Sequence, residues 1–497
     1  MKSRIQTVAE GSLYITLFTL LSKGLGFFRE VITANLFGTS WKMDALIISL
    51  APARIITSIL AAGFVAIFIP EYMKIRNSSK ESSYRYAWAF LCVSGFLYTF
   101  LGLMLFLFSE FFVRLFAPGF SSEILKFAAD SLKMLSVLPL LSGTEQFLSG
   151  LLRAERRFLQ YSVAQSIFNL VAIPIILTLA PFFGETSIIY SWIFGNLIVA
   201  VALLIPARTS LLPTKTFFTQ DLKRTLLLSA PIIISSGLGH ISTIVDKAFL
   251  SLLPPGRIAG MHYANTLLGI ISGVLVISFL EASRTEMSEF VSLDDRTGIQ
   301  LRMRKTSKTV SCMTIPIVFW IAFMSEPLIS LIFERGEFTS ESTSVVVIAL
   351  LGYSARVVIQ PIGFLASQFF IMQRKVKFIM YITFLAIGLN FLLDWILLEP
   401  FGVGGITAST SLVSLITTSV WVLLVKRRGI TFVPWKTILV LSASSAIIIL
   451  LSMLIRSFTN ELFYLFFSNL SFAALIIWST KDVTKYILRQ VASKFRH

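Results

Sequence analysis

Of the 43 Lys and Arg residues in this chain, 31 fall in every second gap between about fourteen long apolar stretches, 6 fall in the alternate gaps and 6 lie inside the stretches. Few folds satisfy such a pattern. An apolar run of roughly 20 residues crosses a ~30 Å hydrocarbon core as a helix, and the cytoplasmic loops of bilayer proteins carry the excess of Lys and Arg. The rich gaps include 74–85, 208–224, 284–308 and both chain ends, whereas the poor gaps hold only Lys42, Arg114, Lys126, Arg257, Arg335 and Arg456. Both termini are therefore expected in the cytoplasm, with an even number of spans. The expected fold class is all-α integral membrane. The spans fall at 11–34, 45–70, 86–109, 127–152, 158–182, 187–207, 225–252, 259–282, 309–332, 343–370, 377–398, 403–425, 437–456 and 462–480.

Composition disposes of the obvious alternative for a net charge of +17. A basic chain can bind nucleic acid, but 55% hydrophobic residues, 45 Phe and only 14% charged residues leave no soluble basic face for it. The charge belongs to topology and to anionic headgroups. Cys92 and Cys312 both lie in apolar stretches, so neither a disulfide nor a metal cluster is expected. The basic start resembles a signal peptide, yet its apolar run contains Lys23 and Arg29 and lacks a small-residue cleavage pattern. It reads as a retained first span.

The chain repeats itself. Leu115-Phe116-Ala117-Pro118-Gly119-Phe120 is echoed by Ile332-Phe333-Glu334-Arg335-Gly336-Glu337-Phe338, and Arg153 and Asn169 by Arg374 and Asn390. Six spans per repeat is an even number, so the halves run parallel about an axis along the membrane normal. Residues 1–218 and 219–435 are expected to form two six-helix bundles, and 436–497 to add two helices and a cytoplasmic tail. Prolines 52, 139, 174, 231, 316 and 361 fall inside spans, where each removes a helix donor.

Charge in hydrocarbon is costly, so intramembrane ions should face a cavity or a partner. The basic candidates are Lys23, Arg29, Arg54, Lys133, Lys247 and Arg356. Among polar groups, Asn390 and Asp394 share a helix face at i, i+4, as do Ile406 and Thr410, and Asp246 lies in span 7. Two carboxylates, an amide, a hydroxyl and a carbonyl make an oxygen set suited to a hard cation. On spacing alone Asp394 serves equally well as an ion-pair partner for Lys247.

Several segments carry a resemblance: Ser22 to Glu30, Phe37-Gly38-Thr39-Ser40 with Met43-Asp44-Ala45, Ala117 to Phe120, Glu334 to Thr339, and Gly402 to Leu412. In order and number these resemble the MurJ (MviN) family of lipid II flippases, within a superfamily of multidrug and lipid-linked-sugar exporters. The similarity runs through almost the whole length. It implies a carrier that moves an undecaprenyl-pyrophosphate-linked glycopeptide from the inner to the outer leaflet of a bacterial cytoplasmic membrane. It places substrate-binding positions on Lys23, Arg29 and Asp44, to which Arg54 is added because it lies one turn before Ser58. It also places a sodium site on Asp246, Asn390, Asp394, Thr410 and the carbonyl of Ile406, sodium being the only cofactor implied.

Two departures stand against the family pattern. Its adjacent arginines on span 2 are Thr57 and Ser58 here, and its Ala-Asp-Arg on span 8 is Ala264-Asn265-Thr266. The expected function is alternating-access transport of lipid II without covalent chemistry, so the chain is read as a non-enzyme. Expected partners are the lipid-linked substrate, membrane lipids and cell-wall synthesis proteins; nothing fixes an oligomeric state. The rivals are a flippase for another polyprenyl-linked oligosaccharide, a sodium-coupled multidrug exporter and a membrane scaffold.

Overall fold

The computed structural model describes residues 8–217, 219–457 and 461–494, so the terminal bases Lys2, Arg4 and Arg496 lie outside the described residues. Among those described, every regular element is helical. Lipid offers backbone groups no hydrogen-bond partner, and a helix satisfies them within its own segment. In chain order come α1 (Val8–Phe37), α2 (Trp41–Ser78), α3 (Lys80–Leu107), α4 (Ser109–Phe116), α5 (Ser122–Leu135) and α6 (Leu138–Ala154). There follow α7 (Phe158–Phe183), α8 (Thr186–Ala207) with a 3-10 turn over Arg208–Ser210, α9 (Gln220–Leu250), α10 (Arg257–Leu275), α11 (Ile277–Ser292) and α12 (Arg296–Phe323). The remainder are α13 (Ser325–Phe333), α14 (Ser340–Met372), α15 (Val376–Lys426), α16 (Trp435–Arg456) and α17 (Glu461–Lys494).

Ten of these, among the described residues, are long and apolar enough to cross a membrane. Where the fourteen expected spans differ from single rods, the cause is local. The stretch 127–152 breaks between α5 and α6, which puts Pro139 in the first turn of α6. There its missing N–H is no loss, so it opens a helix instead of kinking one. The stretch 259–282 breaks at Val276, between α10 and α11. Spans 11 and 12 run together as α15, a 51-residue element interrupted at Gly402, whose φ of 52° only glycine adopts without strain. The outer surface is apolar, with Phe182 81% and Ile477 70% exposed. A surface of that kind is stable against lipid and unstable against water.

The helices group by packing into two units: Met1–His262 with Phe333–Ser342, and Tyr263–Ile332 with Thr343–His497. This boundary differs in kind from the repeat boundary expected at 218/219. It falls later because α9 packs along α2 and so joins the first unit.

In the first unit α2 is central, with α3, α5, α6 and α9 around it, while α1 packs on α7 and α7 on α8. Phe68 stacks on Tyr86 at 5.6 Å and Phe90 on Phe147 at 5.3 Å. The close approach of α3 to α6 needs Gly143, since a Cβ there would overlap the Tyr98 ring. The segment Ser22 to Gly26 is where α1 fastens to α7: Ser22 Oγ donates to the Gln165 carbonyl (2.7 Å) and Asn169 Nδ2 to the Ser22 carbonyl (3.0 Å). Loops set the ends. Gly38 (φ 57°) closes α1, and Ser40 caps α2 by accepting from the Met43 N–H. The 333–342 segment docks onto that turn, with Glu337 N–H donating to the Asn35 carbonyl (2.9 Å) and Thr39 bonded to Ser342 (2.7 Å).

In the second unit α12 packs against α11, α16 and α17. Its core includes Phe369, Phe370, Trp421 and Phe432, with Phe370 and Trp421 5.4 Å apart. Arg356, one of the intramembrane bases, donates to Asn265 Oδ1 at 2.7 Å and lies 4.4 Å over the Tyr353 ring.

Candidate functional site

Within the first unit α1, α2, α7, α8, α9 and the start of α10 line a cavity of about 100 Å³ whose lining includes Arg29, Glu30, Arg54, Trp192, Lys247 and His262. Arg29, Glu30 and Thr33 reach it from one stretch of α1, where i and i+4 positions share a face. Arg29 Nη2 donates to Glu30 Oε1 at 2.7 Å, and His262 Nε2 lies 3.3 Å from Glu30 Oε2. Each of Arg29 and Glu30 is 13% exposed, so the pair is largely removed from water.

Aromatic rings hold the two guanidinium groups. Arg29 Cζ lies 5.2 Å from the Phe168 centroid and 5.3 Å from that of Trp192, while Arg54 Cζ lies 5.1 Å from Trp192. A planar cation over a ring quadrupole is attracted without surrendering its N–H donors to another acceptor. Lys247 Nζ comes within 3.4 Å of the Ile47 carbonyl, at the long limit for a hydrogen bond. Three basic side chains thus line the cavity with one carboxylate. Arg54 is repelled by Arg29 and attracted by Glu30, and Lys247 is repelled by Arg54 and attracted by the neighbouring Asp246. An excess of like charge in a site of low dielectric is stabilised by an incoming anion, above all one with several oxygens that planar guanidinium groups can grip.

The structure brings together Arg29 and Arg54 from the expected substrate-binding set and leaves the other two elsewhere. Lys23 is half-buried on α1, six residues before Arg29, and does not line the cavity. Asp44 is buried and turned towards the first turn of α10, its carboxylate accepting from the N–H of Gly256 (2.6 Å) and of Ala259 (2.7 Å). A carboxylate there satisfies donors that have no intrahelical partner and complements the helix dipole. Lys247 is the residue that joins them. Its signal in the sequence was the cost of a lysine in hydrocarbon, but which helix it faces depends on packing. At the two span-2 departures noted in the sequence, Thr57 is buried and bonded to the Ala53 carbonyl (2.8 Å), and Ser58 lies 3.0 Å from His240.

The candidate cation ligands divide between the units. Asp246 is buried on α9 in the first; Asn390, Asp394, Ile406 and Thr410 belong to α15 in the second. The break at Gly402 turns the second half of α15 back beside the first, so that the Ser409 hydroxyl donates to Asp394 Oδ1. Ser409 and Thr410 also donate to the Ile406 carbonyl, at 2.8 and 3.2 Å. Asn390 and Asp394 are 1% and 0% exposed. The α15 oxygens are of the hard type that alkali cations take, and Ser409 adds one that spacing had not singled out.

A many-helix apolar protein enclosing a cavity rich in cations is a polytopic membrane transporter. The family described as lipid II flippase MurJ matches residues 33–477. The chain belongs to that family. A probable lipid II flippase MurJ of Buchnera aphidicola is 26% identical over 416 residues, covering 80% of each chain. Another from Synechocystis is 25% identical over 461 residues, covering 85% of this chain and 82% of the relative. Among solved structures, a lipid II flippase MurJ in an inward closed conformation superposes with a TM-score of 0.82 at 22% identity, over 95% of this chain and all of that one. An inward-facing multidrug resistance transporter of the MATE family, in the MOP superfamily, has a TM-score of 0.65 at 14% identity, over 85% of this chain and 98% of that one.

Proposed function

We propose that this protein carries lipid II from the inner to the outer leaflet of a bacterial cytoplasmic membrane by alternating access. The observation that carries the reading is the cavity charge: Arg29, Arg54 and Lys247 against the single carboxylate of Glu30. A pyrophosphate esterified at both ends carries two negative charges, and burying it without compensation costs several kcal/mol even after relaxation. Glu30 and His262 hold Arg29 in place before substrate arrives, and the pyrophosphate then competes with Glu30 for the Arg29 donors. Trp192 keeps the Arg29 and Arg54 planes oriented, which favours bidentate contact. The polyprenyl tail stays in lipid beside α16 and α17. No bond is made or broken, so the protein acts as a carrier and not an enzyme.

The α15 oxygens of Asn390, Asp394, Thr410 and the Ile406 carbonyl would hold a sodium ion, whose binding supplies free energy to the transport cycle. The charge pattern supports both termini being cytoplasmic, with the substrate entering from that side. A second reading, a flippase for a different polyprenyl-linked oligosaccharide, is favoured by Thr57 and Ser58. There the headgroup loses the extra bidentate contacts that the family's arginines supply, and Lys247 restores only a point charge.

The test is rescue of a bacterium depleted of its own lipid II flippase, read as growth and as lipid II arriving in the outer leaflet. Wild type is expected to rescue, Arg29→Ala to fail, and Lys23→Ala to be milder than Arg54→Ala because Lys23 is outside the cavity. A well-expressed wild type that does not rescue would favour the other oligosaccharide. Rescue by Arg29→Ala and Arg54→Ala together would remove the phosphate cradle.

A further inference from the structure

A second basic cavity lies in the other unit and shares no lining residue with the first. Lys308 from α12, Lys436 from α16 and Lys481 from α17 converge on a cleft of about 350 Å³ floored by Cys312, Val440 and Leu441. All three lysines fall in base-rich gaps, so they share the side of the membrane that the charge pattern assigns to the cytoplasm. No acidic side chain of the described residues lines the cleft. The three helices are fastened there, Ser479 Oγ of α17 donating to the Cys312 carbonyl of α12 at 2.9 Å. Trp478 at the rim and Trp435 beside Lys436 are 61% and 63% exposed. Exposed tryptophans mark the depth of the headgroups, where an amphipathic ring is best solvated.

We propose that this cleft binds the headgroup of an anionic phospholipid of the inner leaflet, its phosphate among Lys308, Lys436 and Lys481 and the start of its acyl chains on the apolar floor of Cys312, Val440 and Leu441. Three lysine heads on flexible stems suit a phosphate that needs charge without fixed geometry, and a basic pocket between helices on the cytoplasmic side is where anionic headgroups settle. The apolar floor beneath the lysines is what separates a lipid from a soluble phosphate. Bound there, the lipid ties α12, α16 and α17 into one block.

The experiment uses the full chain in neutral detergent, with melting followed as phosphatidylglycerol, phosphatidylcholine or inorganic phosphate is titrated. Phosphatidylglycerol is expected to stabilise the wild type, and the other two to leave it unchanged. Each lysine near a charged surface is worth about fivefold in affinity. Lys308→Ala, Lys436→Ala and Lys481→Ala combined should therefore weaken the phosphatidylglycerol response roughly a hundredfold, and each alone about fivefold. The corresponding triple Arg variant, which keeps the charge, should retain it and guards against misfolding of the alanine protein. An unchanged response in the alanine triple, an equal response to phosphatidylcholine, or an equal response to inorganic phosphate would each overturn the proposal. So would loss of the response in Arg29→Ala with the three lysines intact, since the headgroup would then be binding in the first unit's cavity.

Discussion

Replacing Lys247 by Met removes a charge from the cavity while keeping a side chain of similar length, and the structure assigns the change unequal effects on the empty and the loaded protein. In the empty protein Lys247 makes one long contact, 3.4 Å to the Ile47 carbonyl, and is repelled by Arg54. Losing it relieves repulsion from Arg54 and gives up attraction to the buried Asp246 beside it, two opposed changes, so melting should be little altered. In the loaded protein a hydrogen bond to a charged phosphate is lost, worth about 1.5–3 kcal/mol. That corresponds to roughly tenfold to 150-fold weaker binding of lipid II.

Arg29→Ala provides the contrast. It strands Glu30, which is 13% exposed and loses its 2.7 Å partner. Breaking a buried pair costs about 3–5 kcal/mol, reduced somewhat here because His262 remains 3.3 Å from the same carboxylate. This variant should therefore melt lower and bind weaker. The assay is melting of each purified variant together with direct titration of lipid II. Lys247→Met melting as low as Arg29→Ala while binding lipid II like wild type would refute the reasoning and make Lys247 a structural residue.

Two further outcomes follow from the same geometry. In a background with Cys92 and Cys312 replaced by Ser, Leu293→Cys should be shielded from impermeant thiol reagents in intact cells, while Ser121→Cys and Thr339→Cys, at exposed positions, are labelled; the reverse pattern would invert the orientation. Asp394→Asn should abolish most of the stabilisation that sodium gives the purified protein, and Ser409→Ala should weaken it less, since the serine acts through its bond to Asp394. Sodium responses equal to wild type in both variants would return Asp394 to a structural role.

The sequence by itself determined that the long apolar segments are helices, and its distribution of bases predicts which loops share a side. Those properties depend on local hydrophobicity and on bases whose effect is felt at the membrane surface, one loop at a time. Helix starts have an equally local cause, although the expected spans began several residues later: at Ser40, Thr219 and Asp295 a side-chain oxygen accepts from the first turn. The turns that carry the family resemblance, around Gly38 and Gly336, are legible for the same reason.

Tertiary structure decided the rest. In lipid the outer face of a helix is as apolar as the face it packs, so periodicity carries little information about which side meets which neighbour. Nothing local distinguishes Lys23, left out of the cavity, from Arg29, which lines it, or marks Asp44 as the acceptor for the first turn of α10. Lys247 meets Arg54, and Ser409 meets Asp394, only because chain segments 15 to about 190 residues apart are brought side by side. A charge in a membrane announces that it needs a partner; the packing of the helices decides which one it finds.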